Sequence, residues 1–229
     1  MDDIYTRSEL VLGTQGMQRI KDSHVAVFGV GGVGGNVAEA LVRGGVGEIT
    51  LVDNDVVVPS NLNRQLVATL DTVGRYKTEA MRDRLLSINS SVKVNTVTEF
   101  FSPDNADSFD LTSFDFIADA IDSVSSKTEL ISRAYRNNIP IISSMGAGNK
   151  LHPEFLELAD IYDTQVCPLA RVMRTKLRAL AIPSLRVVYS REKPVSLSAG
   201  QSVTGSTSFV PPAAGLIIAG EILRTLAAG

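Results

Sequence analysis

A glycine-rich loop limits what this chain can fold into more than any other part of its sequence. The stretch VAVFGVGGVGGNVAEAL, at residues 25–41, places this loop between an apolar strand pattern and a helical pattern. Gly29, Gly31 and Gly34 have the spacing G-x-G-x-x-G. Between a strand and a helix, this spacing lets backbone N–H groups meet phosphate oxygens at the N-terminus of the helix. The loop therefore predicts a site for a phosphate-bearing nucleotide.

Strand and helix patterns alternate through the first 150 residues. Strands are predicted at residues 24–28, 48–53, 92–97, 114–120 and 139–144, and helices at 36–43, 76–88 and 125–137. This alternation predicts a Rossmann-like α/β fold, a mostly parallel sheet with helices on both faces that binds ligands at the carboxyl ends of its strands. We expect one domain over residues 1–229, with a nucleotide-binding core at about 20–150.

The remaining residues, about 151–229, are expected to form a C-terminal extension on the substrate side of the core. Its predicted parts are a short apolar segment, a basic helix, a strand-like segment, a Gly/Ser-rich stretch and an apolar helix, at residues 155–160, 168–180, 185–190, 196–208 and from 211 onwards. The apolar run at 209–220 is interrupted by Pro211 and Pro212 and is shorter than the roughly 20 residues that span a bilayer. We therefore expect no membrane contact.

The composition is that of an ordinary globular protein, with 44% apolar and 21% charged residues. The first residues are acidic and polar, unlike a secretion signal. A single cysteine, Cys167, excludes an internal disulfide and a Cys-x-x-Cys zinc site. These observations favour a cytoplasmic protein.

Charged residues at predicted strand ends indicate which nucleotide is bound. Asp53 ends the second strand, where a carboxylate accepts hydrogen bonds from ribose hydroxyls, and up to this point NAD and ATP fit equally well. Arg64 and Lys77 follow, and two cations suit a triphosphate and its leaving pyrophosphate better than a nicotinamide. Asp122 follows the fourth strand and can carry Mg²⁺, while Ser123 or Ser125 can cap the next helix.

Four motifs occur in the order GVGGVGG, LVDND…PSNLNRQ, GRYKTEAM and AIDS. Together they resemble the ubiquitin-activating-enzyme-like (ThiF-like) adenylyltransferase superfamily over about residues 7–148. Further motifs, NNIPIISSMGAGN, CPLARVMR and GSTSFVPPAAGLIIAGEIL, extend the resemblance nearly to the end of the chain and are similar to tRNA threonylcarbamoyladenosine dehydratases. The resemblance implies an ATP-dependent ring closure on a hypermodified adenosine of tRNA, through an adenylylated carboxylate.

The resemblance also implies residue roles, with ATP and Mg²⁺ as cofactors. The implied catalytic residues are Arg64, Lys77, Asp122 as the metal ligand, and Arg7, which would be supplied across a homodimer interface. The implied nucleotide contacts are Gly29, Gly31, Gly32, Gly34, Asp53, Asp55, Asn61, Gln65 and Ser123.

The adenylylating core does not decide the substrate, because relatives that activate small sulfur-carrier or ubiquitin-like proteins use the same core. A basic segment at residues 171–193 favours tRNA, since Lys and Arg supply most sequence-independent affinity for nucleic acid. Its bases are Arg171, Arg174, Lys176, Arg178, Arg186, Arg191 and Lys193. Carrier-protein activation with an unidentified sulfur-transfer partner, and a nucleotide-binding module without turnover, remain alternatives.

Cys167 precedes the basic helix, where nearby arginines favour a reactive thiolate. In carrier-activating relatives a cysteine can form a covalent intermediate. Ring closure needs no thioester, and we expect Cys167 to be dispensable for it.

Overall fold

The computed structural model describes residues 4–196 and 204–229, so residues 197–203 of the predicted Gly/Ser-rich stretch lie outside the described part. The described residues form one seven-stranded sheet. Its strands are β1 (His24–Phe28), β2 (Glu48–Val52), β3 (Lys93–Val97), β4 (Phe116–Asp119), β5 (Ile141–Ser144), β6 (Leu156–Asp160) and β7 (Arg186–Ser190). The longer helices are α1 (Thr6–Asp22), α2 (Gly34–Arg43), α3 (Lys77–Ile88), α4 (Val124–Arg136), α5 (Pro168–Ala179) and α6 (Val210–Ala228).

The strand order is β3-β2-β1-β4-β5-β7-β6. All neighbouring pairs are parallel except β6 and β7, which are antiparallel. The carboxyl ends of β1–β5 and β7 therefore share one edge of the sheet, which we call the carboxyl edge, and β6 begins at that edge. The predicted α/β fold with a mostly parallel sheet is confirmed.

Helices cover both faces of the sheet, because successive side chains of a strand point to opposite faces. Val25 and Val27 of β1 belong to a core cluster with α1, α2, α3 and α6. Ala26 and Phe28 face the other side and pack with residues of α4. A third cluster joins α5 to β7. The C-terminal part of the chain thus continues the same sheet and the same layers.

Helix α1 is absent from the sequence-based prediction. Its second half contacts α6 and buries Gly16, Met17 and Ile20, and a Cβ on Gly16 would lie 3.2 Å from the Cβ of Ala227. The helix is kinked at Gly13, which has φ 74° and ψ 156°. Its apolar residues are too sparse to give a clear helical pattern in the sequence. Packing against α6, about 200 residues further along the chain, sets its position.

Helix α6 is, within the described part of the chain, long and apolar enough to cross a membrane by length and composition. It contacts α1 and α2 and lies on the sheet, the setting of a core helix. A Cβ on Gly215 would lie 2.5 Å from the carbonyl oxygen of Val33, so the α2–α6 contact requires glycine. The helix predicted from residue 211 onwards is confirmed, and Pro211 and Pro212 occupy its first turn, where a missing N–H costs nothing.

Candidate functional site

A cleft of about 510 Å³ opens at the carboxyl edge, where β1, β2 and β4 end. Strands β2 and β4 lie on either side of β1, so the chain connections diverge at this point, which is where open α/β sheets bind ligands. Most of the predicted site residues line this cleft, namely Gly29, Gly31, Gly32, Asp53, Asp55, Asn61, Arg64, Gln65, Lys77 and Asp122. Gly34, Ser123 and Arg7 are not among its lining residues.

The glycines of the loop have two different tasks. Gly29 has φ +88°, and a Cβ there would lie 2.7 Å from the carbonyl oxygen of Ala120. A Cβ on Gly34 would lie 1.8 Å from the carbonyl oxygen of Gly29, so these two glycines allow the loop to fold back on β4 and α2. Gly31 faces open space, where a Cβ would approach only the Gln65 amide, at 3.9 Å. The backbone at Gly31 therefore offers room for a bound group.

Asp53 is held by two backbone N–H groups at the end of β2. Its Oδ2 accepts a hydrogen bond from the N–H of Val30 at 2.6 Å, and its Oδ1 accepts one from the N–H of Asp55 at 2.8 Å. Burial raises the pKa of Asp53, against the opposing charge of Lys77 and these hydrogen bonds. Each carboxylate oxygen keeps a lone pair, so both can accept a further hydrogen bond from hydroxyls in the cleft.

Lys77 brings a buried cation to the floor of the cleft. Its side chain is 6% exposed, and its Nζ lies 2.6 Å from Oδ2 of Asp55, whose side chain is 61% exposed. The backbone N–H of Lys77 donates to the carbonyl oxygen of Asp55 at 2.9 Å, which fixes the start of α3 beside the end of β2. This ion pair has one fixed partner and one solvated partner, so an anionic ligand can compete with Asp55 for the ammonium.

The segment after β2 supplies Asn61, Arg64 and Gln65. Asn61 is buried, and its Oδ1 accepts from the N–H of Val58 at 3.1 Å. The Arg64 guanidinium donates to the carbonyl oxygen of Ser60 at 2.9 Å and to Oδ1 of Asn63 at 2.8 Å. Gln65 is 8% exposed, and its Oε1 has no hydrogen-bond partner among the described residues. A buried acceptor without a partner costs about 1–3 kcal/mol, which a donor on a bound molecule can recover.

Asp122 and Ser123 follow β4 and have separate environments. Asp122 is exposed and lines the cleft. The Ser123 hydroxyl accepts from the N–H of Ser126 at 3.5 Å, so it caps α4, one of the two roles considered for it. No group of three or more His, Cys, Asp or Glu side chains that could hold a metal occurs in the described part of the chain. A Mg²⁺ ion at Asp122 would need phosphate oxygens and water as its other ligands, which is its usual preference.

A buried ion pair that sequence reasoning missed supports this region. Nζ of Lys127 lies 2.7 Å from Oδ2 of Asp119, and both side chains are 0% exposed. The ammonium also donates to Oγ of Ser143 and to the carbonyl oxygen of Ser144, each at 3.0 Å. The N–H of Ile121 donates to Oδ1 of Asp119 at 3.1 Å, so the pair holds the loop that carries Asp122. In the sequence, the only indication of this ion pair is a lysine that follows the strand-end Asp119 by eight residues.

Further walls of the cleft come from two segments that sequence reasoning did not assign. Phe100 and Phe101 follow β3 and line it. Thr204 and Ser206 line it from the C-terminal part of the chain. Asn149 anchors this second segment, because its Oδ1 accepts from the N–H of Gly205 at 2.6 Å and its own N–H donates to the carbonyl oxygen of Gly205 at 2.8 Å.

Arg7 lies at the opposite edge of the sheet from its own cleft. The hydroxyl of the nearby Tyr5 donates to the carbonyl oxygen of Val42 at 3.1 Å and accepts from the amide of Asn89 at 2.8 Å. Val42 and Asn89 are at the C-terminal ends of α2 and α3, which run antiparallel to the strands. A five-residue strand is about 16 Å long, so an arginine side chain there does not reach the carboxyl edge of the same chain.

Cys167 is buried, with 3% exposure, and does not line the cleft. Its Sγ would lie 3.6 Å from a Cβ on Gly146, so it packs against the loop after β5. This loop continues into Ala147 and Gly148, which do line the cleft. The thiol therefore supports a wall of the cleft from behind.

The ThiF family model matches residues 5–228, and the chain belongs to the ThiF family. Within it, the chain is 39% identical to the tRNA threonylcarbamoyladenosine dehydratase of Bacillus subtilis (strain 168), over 97% of this chain and 94% of that protein. It is 34% identical to the molybdopterin-synthase adenylyltransferase of Salmonella typhimurium (strain LT2), over 61% of this chain and 56% of that protein. The crystal structure of the Escherichia coli tRNA N6-threonylcarbamoyladenosine dehydratase in complex with ATP is similar, with a TM-score of 0.90, 33% identity and coverage of 98% of this chain and 93% of that one.

Proposed function

We propose that this chain catalyses the ATP-dependent dehydration of threonylcarbamoyladenosine in tRNA, which closes the threonylcarbamoyl group into a ring. The observation that carries the proposal is the convergence of the glycine loop, Asp53, Arg64 and Lys77 on one cleft, in a chain that dehydratases match over nearly its whole length. Within that cleft, the open backbone at Gly31 faces the phosphates of ATP.

The nucleotide is oriented by groups on two sides of the loop. Asp53 accepts hydrogen bonds from the ribose hydroxyls. Phe101 is buried and packs edge-on against Phe28 at 5.3 Å between ring centroids, while Phe100 is 49% exposed, so the two phenylalanines form an apolar wall for the adenine beyond the ribose. The triphosphate then extends towards Arg64 and Lys77.

Adenylylation makes the threonyl carboxylate reactive. A carboxylate oxygen attacks the α-phosphorus of ATP, the bond to the bridging oxygen breaks, and pyrophosphate leaves. Arg64 and Lys77 stabilise the charge that grows on the leaving group, since fixed cations in a partly dehydrated cleft cost no reorganisation. Lys77 does so by exchanging Asp55 for a phosphate oxygen.

Ring closure follows within the same molecule. The carbamoyl nitrogen of the substrate attacks the activated carbonyl carbon, loses a proton, and AMP leaves with the former carboxylate oxygen. The net change in the tRNA is the loss of one water. Because nucleophile and acyl group belong to one molecule, the cleft needs only to hold them in place, and no thioester at Cys167 is required.

Mg²⁺ fits the cleft as a partner of the triphosphate. Asp122 is the exposed carboxylate on the β4 side, and the ion would neutralise phosphate charge there. The buried Asp119 is taken up by Lys127 and is not a candidate ligand.

A homodimer would bring Arg7 to a cleft. Arg7 is remote from its own cleft, and Leu10 and Val11 in the same half of α1 are each 84% exposed. A second copy that buries these apolar side chains would bring this half of α1 into the interface, and the proposed role of Arg7 requires that it then reach the cleft of the partner. The site would then be complete only in the dimer.

The basic segment divides into groups with different tasks. Arg186 pairs with Glu221 at 2.7 Å, Arg191 pairs with Glu157 at 3.0 Å, and Arg174 donates to the carbonyl oxygen of Thr164 at 2.9 Å. The exposed bases of α5 are Arg171, Lys176 and Arg178. Helix α5 begins beside the loop after β5 at the carboxyl edge and runs towards the opposite edge, so these three cations, within residues 171–178, offer a path of about 10 Å for a tRNA backbone.

Mass analysis of tRNA nucleosides tests the function. Incubation of tRNA carrying threonylcarbamoyladenosine with the protein and ATP should convert this nucleoside into its dehydrated form and release AMP and pyrophosphate. AMP release with a small carrier protein that ends in an exposed glycine carboxylate, together with unchanged tRNA, would instead establish the carrier-activating alternative. ATP binding without AMP release under either condition would establish a module without turnover.

A further inference from the structure

A cluster of exposed aromatic and cationic side chains lies at the carboxyl edge, apart from the cleft. The ring centroids of His152 and Phe155 are 5.2 Å apart with an interplanar angle of 34°, and the Arg191 guanidinium lies over the Phe155 ring at 5.9 Å. Phe155 is 40% exposed, and the side chains of His152 and Arg191 are 51% and 58% exposed. We call His152, Phe155 and Arg191 the aromatic–arginine cluster.

Hydrogen bonds and an ion pair hold the cluster in place, and its rings and guanidinium remain partly exposed to solvent. The N–H of Arg191 donates to the carbonyl oxygen of Phe155 at 3.0 Å, and Nε of Arg191 forms an ion pair with Oε2 of Glu157 at 3.0 Å. Glu157 is itself fixed by the Tyr189 hydroxyl at 2.6 Å. This bracing orients the guanidinium before any ligand arrives, which lowers the entropy cost of binding.

The loop that leads from the cleft to the cluster is fixed as well. The Glu192 carboxylate accepts from the N–H groups of Leu151, at 3.0 Å, and His152, at 2.9 Å. The Lys150 ammonium donates to the carbonyl oxygen of Glu192. The chain from Gly148, in the cleft wall, to His152 is therefore a continuous, hydrogen-bonded strip.

The charges of the cluster favour an uncharged flat ligand over a phosphate. His152 pairs with Glu154 at 2.8 Å, and Arg191 pairs with Glu157, so each cation already has an acidic neighbour. A phosphate placed here would meet these carboxylates. A nucleobase carries no charge and stacks on aromatic rings and guanidinium planes, which is how proteins hold unpaired RNA bases.

The position of the cluster matches what a tRNA substrate would require. The loop after β5 lines the cleft, and β6 is two strands away from β5, or about 10 Å. An adenosine that enters the cleft must leave its stack, so the nucleotides beside it are unpaired near this edge. We infer that the aromatic–arginine cluster stacks an unpaired base that flanks the modified adenosine, an inference that rests on the proposed function.

A synthetic stem-loop RNA tests this inference, with threonylcarbamoyladenosine in its loop and an abasic site at each other loop position in turn. In the wild-type protein, one abasic position should raise the KM for RNA at least about fivefold, since a stacked base contributes about 1–3 kcal/mol. The Phe155→Leu variant keeps the apolar packing and should show this higher KM with the intact RNA, with no further change at the abasic position. Phe155→Tyr should restore the wild-type value.

The matched control is Tyr135→Leu, which removes an aromatic of similar exposure, 47%, from the C-terminal end of α4 at the opposite edge. It should leave KM unchanged, and ATP affinity should be unchanged in every variant. If ring closure proceeds but wild type and Phe155→Leu have equal KM for RNA, the inference is overturned. It is also overturned if no abasic position raises the KM of the wild-type protein. If wild-type protein closed no ring, the proposed function would fail, and fluorescence anisotropy with the same RNAs would still report whether Phe155 and one base act together.

Discussion

At the scale of single residues, the proposed function assigns nucleotide binding to Asp53 and stabilisation of the leaving pyrophosphate to Arg64. Asp53 is fixed by two N–H groups and is suited to hold a ribose in any state of the reaction. Arg64 is tied to Ser60 and Asn63 by neutral acceptors, so its full charge remains available to phosphate. The two residues should therefore affect different kinetic constants.

Asp53→Asn should weaken adenosine binding and change its dependence on pH. Burial raises the pKa of Asp53, so in the wild-type protein the ionised carboxylate, and with it the affinity, is lost as pH falls through that raised value. Calorimetry with adenosine, which carries no titrating phosphate, measures this directly. The variant should bind about 5- to 100-fold more weakly at neutral pH, with a flat profile in acid. Parallel profiles for both proteins would contradict the ribose role.

Arg64→Ala should lower kcat by about 10²-fold or more and change ATP affinity much less, because its charge is needed most as pyrophosphate leaves. Steady-state kinetics of AMP release and ATP calorimetry separate the two effects. Arg43→Ala is the matched control, since Arg43 is an exposed arginine at the end of α2 that pairs with Glu39. An equal loss of binding and turnover would tell against the assigned role.

Cys167→Ala should retain most ATP-dependent ring closure. The thiol is 3% exposed and packs beside Gly146 outside the cleft, so it has no path to the substrate carbonyl. Nucleoside mass analysis checks this outcome. Complete loss of product in a variant that folds and binds ATP normally would revive a covalent route.

At the scale of elements, the basic residues of α5 fall into two groups. Arg174 faces Thr164 and helps to fasten the helix, whereas Arg171, Lys176 and Arg178 are exposed. The fold thus decides which members of a basic sequence segment are exposed to a phosphate in solution. Charge counting along the sequence does not make that distinction.

Replacing Arg171, Lys176 and Arg178 together by Glu should abolish tRNA-dependent AMP release and leave ATP affinity unchanged. Each lost phosphate contact should also reduce the dependence of log K on log salt by about 0.7–0.9. Filter binding of tRNA at several salt concentrations measures this slope. A variant with Lys21, Arg43 and Arg136 replaced by Glu has the same net charge and should behave as wild type, so equal losses in both would indicate a general charge effect.

At the scale of the whole molecule, the proposed homodimer would divide each active site between two chains, because Arg7 is remote from its own cleft. The exposed Leu10 and Val11 share its half of α1, beyond the kink at Gly13. A site built in this way is active only when two copies meet, which couples turnover to protein concentration.

Mixing two inactive variants tests this arrangement. Arg7→Ala keeps an intact cleft, and Lys77→Met keeps an intact Arg7, so a mixed dimer contains one complete site. Random exchange of subunits should restore roughly a quarter of wild-type activity. Sedimentation analysis confirms that dimers are present, and the absence of any recovery in mixed dimers would contradict the supply of Arg7 by the partner chain.

The sequence by itself determined the α/β class, the family, and most residues of the cleft. Gly31, Asp53 and Asp122 each follow a strand, and parallel strands bring such positions to one edge whatever the details of packing. Tertiary structure decided the rest: the antiparallel β6, the Asp119–Lys127 pair, the distance of Arg7 from its own cleft, and which bases of α5 are exposed. These features depend on contacts between residues far apart in the chain, and their energies come from burial and close packing, which no local spacing records.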